Sequence, residues 1–232
     1  MKEYPIILTS TNDVADQINN ENLLKLETPI HAFKAKITGD GDKLIKSSLI
    51  PINLEIKIGA QVMILKNDFK QGVFNGMIGH VLAVEYDPLT AEEVIQVLVQ
   101  DGTVKDIRRF IIKEGKLKKR KIGKKEDEEY IIYRSCSQFP LRLAYAFSIH
   151  KSQGLTFEAM TLNLTKNIFE AGQLYVALSR CKSLNGLTLT RDIRRSEVKV
   201  NPVLLSFYKK AKLDTRYLRI WDDVKTGMYE FE

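Results

Sequence analysis

Phe139-Pro140-Leu141-Arg142-Leu143-Ala144-Tyr145-Ala146-Phe147-Ser148-Ile149-His150-Lys151-Ser152-Gln153-Gly154-Leu155-Thr156 sets an apolar run directly before a polar one. The spacing predicts a helix or helical turn from Leu141 to Gln153, stopped by Gly154. Glycine at that stop lets backbone approach a ligand closely, and Ser148, His150, Lys151, Ser152 and Gln153 are potential donors to phosphates or bases. On its own a polar helix end closed by glycine is common, and an isolated His150 is more often structural than catalytic. The stretch points to anion or nucleic-acid contact without specifying it.

A second stretch lies about twenty residues further on, Gly172-Gln173-Leu174-Tyr175-Val176-Ala177-Leu178-Ser179-Arg180-Cys181. At about 100° per residue, Leu174, Ala177, Leu178 and Cys181 form a buried stripe, with Gln173 and Arg180 beside it. Packing of that helix would hold the guanidinium rigidly, as charge stabilisation at a transferring phosphoryl group requires. Geometry alone equally allows an ordinary arginine paired with a carboxylate.

Outward from these stretches, strands and helices alternate. Tyr4 to Thr9 reads as a buried strand, and Ser10-x-x-Asp13 as a capping-box-like start to a helix running to about residue 26. Ala159 to Leu164 and Gly186 to Thr190 read as strands, and Pro202 to Ala211 as a helix. Between residues 49 and 135 the texture changes to short runs bounded by turns: 61–65, 78–84, 94–99 before the Asp101-Gly102 turn, 104–111 and 130–133. Five such strands describe a small barrel or meander inserted into an α/β domain. Residues 116–125, with seven basic side chains ahead of four acidic ones at 126–129, read as a hairpin tip or loop. Such a loop is either a solvated, partly self-neutralised element or a phosphate contact.

The 232 residues suit one large domain or two small ones, and 44% hydrophobic residues suit a folded core. No run approaches a membrane span and Met1-Lys2-Glu3-Tyr4-Pro5 opens no signal peptide, so no membrane partner is expected. Cys136 and Cys181, with three histidines, are too few for a disulfide framework or a zinc site, and no metal ligands are assigned. The net charge of +7 permits a polyanionic partner without requiring one.

Ser148 to Thr156, followed by Gly172 to Arg180, resembles motifs V and VI of the superfamily 1B DNA helicases of the Pif and RecD type. Leu8-Thr9-Ser10-Thr11-Asn12 with Asn19 is similar to the motif IV region of that family. Ile58 to Asn67 and Phe74-Asn75-Gly76-Met77-Ile78-Gly79 resemble the start of its inserted Src-homology-three-like barrel. The match runs from about residue 6 to 209. It implies an α/β fold: residues 1–48 and 136–212 as the second RecA-like motor domain of P-loop NTPase type, 49–135 as the inserted β-barrel, and 213–232 as an extension.

By motif position, the resemblance implies Arg180 as the catalytic arginine finger, with Gln153, Gly154 and Gln173 at the nucleotide. Asn12, Asn75, Ser148, His150 and Lys151 would meet single-stranded DNA. The implied activity is ATP-dependent, 5′-to-3′ DNA unwinding with ATP and Mg2+ as cofactors, by a monomer that is cytoplasmic in a bacterium and nuclear or mitochondrial in a eukaryote. A P-loop of the form G-x-x-x-x-G-K-[ST] does not occur in the sequence. The expectation is a C-terminal half, a piece of a longer helicase or a truncated gene product. It would bind no nucleotide stably alone and would need an N-terminal P-loop motor domain as its partner. The competing readings are a non-catalytic single-strand-binding or regulatory module, and an interaction scaffold using the aromatic tail of Tyr217, Trp221 and Tyr229.

Overall fold

The computed structural model describes residues 6–41, 44, 49–122 and 125–210. A four-stranded parallel sheet organises the two ends of this range. It consists of β1 (Ile7–Thr9), β12 (Ala146–Ser148), β13 (Met160–Asn163) and β14 (Leu187–Leu189), in the order β12-β1-β13-β14. The register sets Leu8 beside both Phe147 and Leu162, and all three are fully buried. Each such side chain contributes roughly 1.5–3 kcal/mol by leaving water, which lets strands of three or four residues persist.

Helix α1 (Asn12–Leu24) follows β1, and its buried Asn19 pins it to the neighbouring strand. The Asn19 amide donates to Ala146 O at 2.9 Å, and its Oδ1 accepts from the N–H groups of Tyr145 and Ala146 at 3.0 Å each. The helix begins after Thr11 rather than after Ser10, and no side chain caps it.

Two expected helices are corrected by this sheet. Residues 141–153 form β11 (Leu141–Leu143), β12 and a single 3₁₀ turn at His150–Ser152. A short buried apolar run carries no periodicity that separates strand from helix, and pairing with β1 decides for strand. The helix expected over 172–181 is α2 (Gln173–Leu178), so Arg180 lies in the turn beyond its end. The helix expected from Pro202 is α3 (Pro202–Lys210).

The middle of the chain is antiparallel. Strands β5 (Gln61–Ile64), β6 (Ile78–Asp87), β7 (Glu92–Val99) and β8 (Val104–Ile107) join β11 in a five-stranded sheet of order β11-β5-β6-β7-β8. Beside it lie a pair, β2 (His31–Lys34) with β4 (Asn53–Ile56), and a three-stranded sheet of β3 (Lys36–Thr38), β10 (Lys125–Gln138) and β9 (Phe110–Ile122). Pairing therefore crosses the expected boundaries at 48/49 and 135/136: β2 joins β4, β3 joins β10, and β11 joins β5.

The run expected as one strand over 104–111 divides between β8 and β9. The basic segment lies at the end of the β9–β10 hairpin, with residues 116–122 and 125 in its ladder. As Cα partners, Lys121 stands opposite Glu126, Arg120 opposite Asp127, Lys119 opposite Glu128 and Lys118 opposite Glu129.

One apolar core runs under both main sheets, since Met63, Leu65 and Ile78 pack with Ile6, Leu8, Phe147 and Leu162. A second core fills the middle region around Val62, Ile95, Val97 and Phe139. Buried amides tie the regions together. Gln138 Nε2 donates to Phe33 O at 2.8 Å and to Ile52 O at 3.0 Å, and Gln61 Nε2 donates to Ala144 O at 2.8 Å. The tail with Tyr217, Trp221 and Tyr229 lies outside the described residues. No helix among the described residues is long and apolar enough to cross a membrane.

Candidate nucleic-acid and nucleotide interface

In an open parallel α/β sheet, ligands bind beyond the carboxyl ends of the strands. At that edge β1 runs into Ser10-Thr11-Asn12 and β12 runs into the 3₁₀ turn, with Ile149 N donating to Thr9 O at 2.8 Å. Adjacent parallel strands thus bring together residues 136 positions apart: Ser148 Oγ donates to Asn12 Oδ1 at 2.6 Å. Lys151 N approaches the same hydroxyl at 3.4 Å. The Asn12 amide nitrogen stays available as a donor. Asn12 and His150 are exposed and Lys151 is half-buried. Thr11 Oγ1, at the same strand end, is a buried side-chain oxygen without a hydrogen-bond partner.

Gln173 is buried, unlike the projecting side chain that the helical wheel suggests. Its Nε2 donates to Ser10 O at 3.0 Å, while its Oε1 accepts from Phe169 N at 3.1 Å and Glu170 N at 3.3 Å. It ties the start of α2 to the end of β1. Arg191 and Glu197 hold the preceding loop from the other side. The guanidinium donates to both Glu197 oxygens at 2.7 and 2.9 Å and to Leu164 O at 2.8 Å, and Glu197 Oε1 accepts from Ile168 N at 3.3 Å. Arg191 beside it is the main reason the Glu197 carboxyl is lowered from 4.5 to about 2.

Arg180 is half-buried against the loop that follows the 3₁₀ turn. Its Nε donates to Val176 O at 3.0 Å, Nη1 to Leu155 O at 3.1 Å and Nη2 to Ser179 Oγ at 2.8 Å. Three of the five guanidinium donors are used here, so two remain for a ligand. Backbone bonds from Phe157 N to Arg180 O at 2.8 Å and from Lys182 N to Phe157 O at 3.0 Å fix the turn. Gln153 and Gly154 are exposed directly before Leu155, and Gly154 has φ +83°, a left-handed conformation that glycine adopts without strain.

Leu155 also reaches the antiparallel region. Its Cδ2 would lie 3.4 Å from a Cβ built on Gly76, beside the exposed Asn75. Asn75 is held by its backbone N–H, which donates to Asn67 Oδ1 at 2.7 Å.

Of the residues singled out in the sequence, Asn12, Ser148 and Lys151 meet at the end of the parallel strands and Gln173 binds Ser10 O nearby; Arg180 binds the carbonyl of Leu155, next to Gln153 and Gly154, while Asn75 lies on the β5–β6 turn. Reading the sequence missed Arg142, whose guanidinium lies 4.7 Å from the Phe147 ring centroid and lines a cleft of about 570 Å³ with Asp16, Asn20, Asn53 and Lys151. Burial lowers its pKa, with Asp16 acting in the opposite sense. A lone arginine between Leu141 and Leu143 was the available signal. The role of Leu155 comes from its carbonyl and had no signal in residue type. Among the described residues no cluster of three or more His, Cys, Asp or Glu is placed to hold a metal ion.

A parallel sheet with polar side chains at its strand ends, and an arginine held in the turn beyond a short helix, is an open α/β fold with a ligand-facing edge. No family model matches the chain. It is 33% identical over 222 residues to the ATP-dependent DNA helicase Pif1 of Campylobacter jejuni, covering 88% of this chain and 47% of that relative. The structure of unliganded Pif1 from Bacteroides superposes with a TM-score of 0.71 at 32% identity, covering 90% of this chain and 45% of that one. Bacteroides Pif1 in complex with ADP-AlF3 and single-stranded DNA matches with a TM-score of 0.64 at 32% identity, over 89% and 44%. Sequence and fold both match the chain to a Pif1-type helicase fragment, and it spans about half the length of these relatives.

Proposed function

We propose that the chain is the C-terminal motor half of an ATP-dependent DNA helicase that moves 5′ to 3′ along a single strand. The observation that carries this reading is the convergence on Leu155. Its carbonyl accepts from Arg180, its side chain adjoins Gly76, and it follows Gln153 and Gly154 directly. A change of nucleotide state felt at Arg180 thereby reaches both the strand-facing 3₁₀ turn and the antiparallel region. The relative solved with ADP-AlF3 and single-stranded DNA supports nucleotide and strand binding by this fold.

In this reading ATP sits between the chain and a P-loop domain of the same polypeptide, which supplies the phosphate cradle and the Mg2+ ligands. Arg180 stabilises charge developing on the γ-phosphoryl oxygens. Gln153 and Gly154 line the cleft, and buried Gln173 sets the height of α2 against β1. Asn12, Ser148, His150 and Lys151 hold the strand, with Asn75 presented from the other side. Residues 1–48 and 136–212 act as the RecA-like body, 49–135 as a Src-homology-three-like barrel over the strand, and 213–232 as an extension. The enzyme works as a monomer.

The test is turnover. The 232-residue chain alone should give no measurable ATP hydrolysis, and joining it to a Pif1-type P-loop half should restore DNA-stimulated hydrolysis. Robust hydrolysis by the chain alone refutes the two-domain assignment.

A further inference from the structure

The turn between β5 and β6 exposes two aromatic rings that no part of the mechanism above uses. Phe69 is 75% and Phe74 48% exposed, and the rings meet edge to face with centroids 6.0 Å apart. Single exposed apolar residues are ordinary on a protein surface, but this pair sits on a turn fixed from several sides. Asp68 and Val73 exchange backbone hydrogen bonds at 2.8 and 2.9 Å, and Asp68 Oδ1 accepts from Lys70 N at 3.1 Å. Asn67 Oδ1 holds Asn75 N, Phe74 N donates to Met77 Sδ at 3.2 Å, and Gly76 N donates to Ile64 O at 2.8 Å. The rings are thus presented to solvent by a backbone that is already ordered, so a partner pays little to immobilise them.

The surroundings select the partner. The same turn carries Lys66 and Lys70 in sequence, Lys66 Nζ lies 5.1 Å from the Phe110 ring centroid, and Lys105 Nζ reaches the turn, donating to Gln71 O at 3.0 Å. The nearby Asp68 carboxylate is spent on the turn's own N–H groups. Exposed aromatic rings on a turn that carries Lys66 and Lys70 and is met by Lys105 suit a polyanion with planar groups better than an apolar peptide or a second copy of this chain. The same turn adjoins Leu155 through Gly76, next to the strand-facing edge.

We infer that Phe69 and Phe74 form a stacking platform for unpaired bases of the bound single strand. The inference rests on the single-strand reading above and adds a site on the antiparallel region that reads bases by their faces, without sequence preference.

The experiment measures binding of the 232-residue chain to an oligothymidylate bearing one 2-aminopurine, and to the same strand with abasic sites. Phe69→Leu/Phe74→Leu keeps apolar bulk and removes the rings, Phe69→Trp/Phe74→Trp keeps π-faces, and Lys151→Ala probes the parallel-sheet edge. The leucine pair is expected to bind the intact strand about fivefold or more weakly per ring lost and to abolish 2-aminopurine quenching. The tryptophan pair should restore both, and wild-type protein should show a comparable penalty on the abasic strand. Because the abasic comparison uses wild-type protein, it decides the question even if a variant folds poorly. Equal affinity for intact and abasic strands, with Lys151→Ala still weakening binding, overturns the platform and leaves the strand site standing. Loss of self-association instead of strand affinity in the leucine pair also overturns it. A wild-type chain that binds neither strand refutes the single-strand reading itself.

Discussion

The parallel sheet β12-β1-β13-β14 has strands of three or four residues, while the antiparallel sheet β11-β5-β6-β7-β8 includes strands of eight and ten. The short strands pair segments far apart in the chain, Thr9 with Ser148 and with Asn163. Most of the longer ones pair with their sequence neighbours through turns such as that at Asp101-Gly102, where Val99 N donates to Thr103 O at 3.0 Å. The first sheet collects polar groups at strand ends, where backbone pairing stops and side chains are free to face a ligand. The second presents its groups from turns. A site assembled from distant segments depends on the whole fold, whereas a turn carries its geometry locally.

That contrast can be broken most sharply at Arg180. With the chain joined to a Pif1-type P-loop half, Arg180→Ala should lower DNA-stimulated ATP turnover by roughly 10³–10⁵-fold. Unaltered turnover would remove the arginine from the reaction. Next in size is the shared core. Phe147→Ala, at a fully buried position of β12, should cost about 3–5 kcal/mol in denaturant unfolding. Because Met63 and Ile78 belong to the same core, far-UV and near-UV signals should lose structure in one transition. Two separated transitions would mean that the sheets are independent units.

Glu197→Gln tests the brace behind α2. The Glu197 carboxyl is lowered from 4.5 to about 2 in the folded chain, so the unfolded state holds its proton more tightly. The stabilisation is complete above pH 4.5 and is lost as pH falls towards about 2. Wild-type and variant stability curves should therefore differ most at neutral pH and converge through that window. A difference independent of pH would assign the effect to packing.

Smaller effects should follow Ser148→Ala, which removes the bond to Asn12 and is expected to cost roughly 0.5–1.5 kcal/mol in single-strand affinity, measured by fluorescence anisotropy. That affinity should also fall steeply with salt as phosphate contacts release counterions. The smallest change is expected at the β6–β7 turn, where Leu89 is 95% exposed. Leu89→Ser should stay within about 0.5 kcal/mol of wild type in unfolding measurements. A larger loss would show that even this turn is coupled to the core.

Residues whose neighbours in sequence are also their neighbours in space were legible beforehand. The strands at 61–65, 78–84 and 94–99 are present as β5, β6 and β7, the first one residue shorter and the other two longer than expected. Leu141 to Gln153 was misread because Ala146, Phe147 and Ser148 are all buried, which erases the polar alternation that marks a strand. Gln173 was read as a projecting side chain, although its hydrogen bonds to Ser10 O, Phe169 N and Glu170 N turn it into a brace. The basic block was read as a hairpin tip or loop, and it lies at the end of the β9–β10 hairpin; only the register of β9 against β10 sets it opposite the acidic residues that follow it.

The sequence by itself determined which residue types gather in Ser148–Thr156 and Gly172–Arg180, the short-strand texture of the middle region, and the missing P-loop. Only the tertiary structure decided that Asn12 meets Ser148, that Arg180 rests on the carbonyl of Leu155, and that Leu155 reaches Gly76. The first follows from parallel pairing of β1 with β12, the second uses a backbone carbonyl, and the third sets a leucine side chain beside a glycine. Every residue carries the same backbone groups and parallel partners are distant along the chain, so residue type and spacing leave no trace of them.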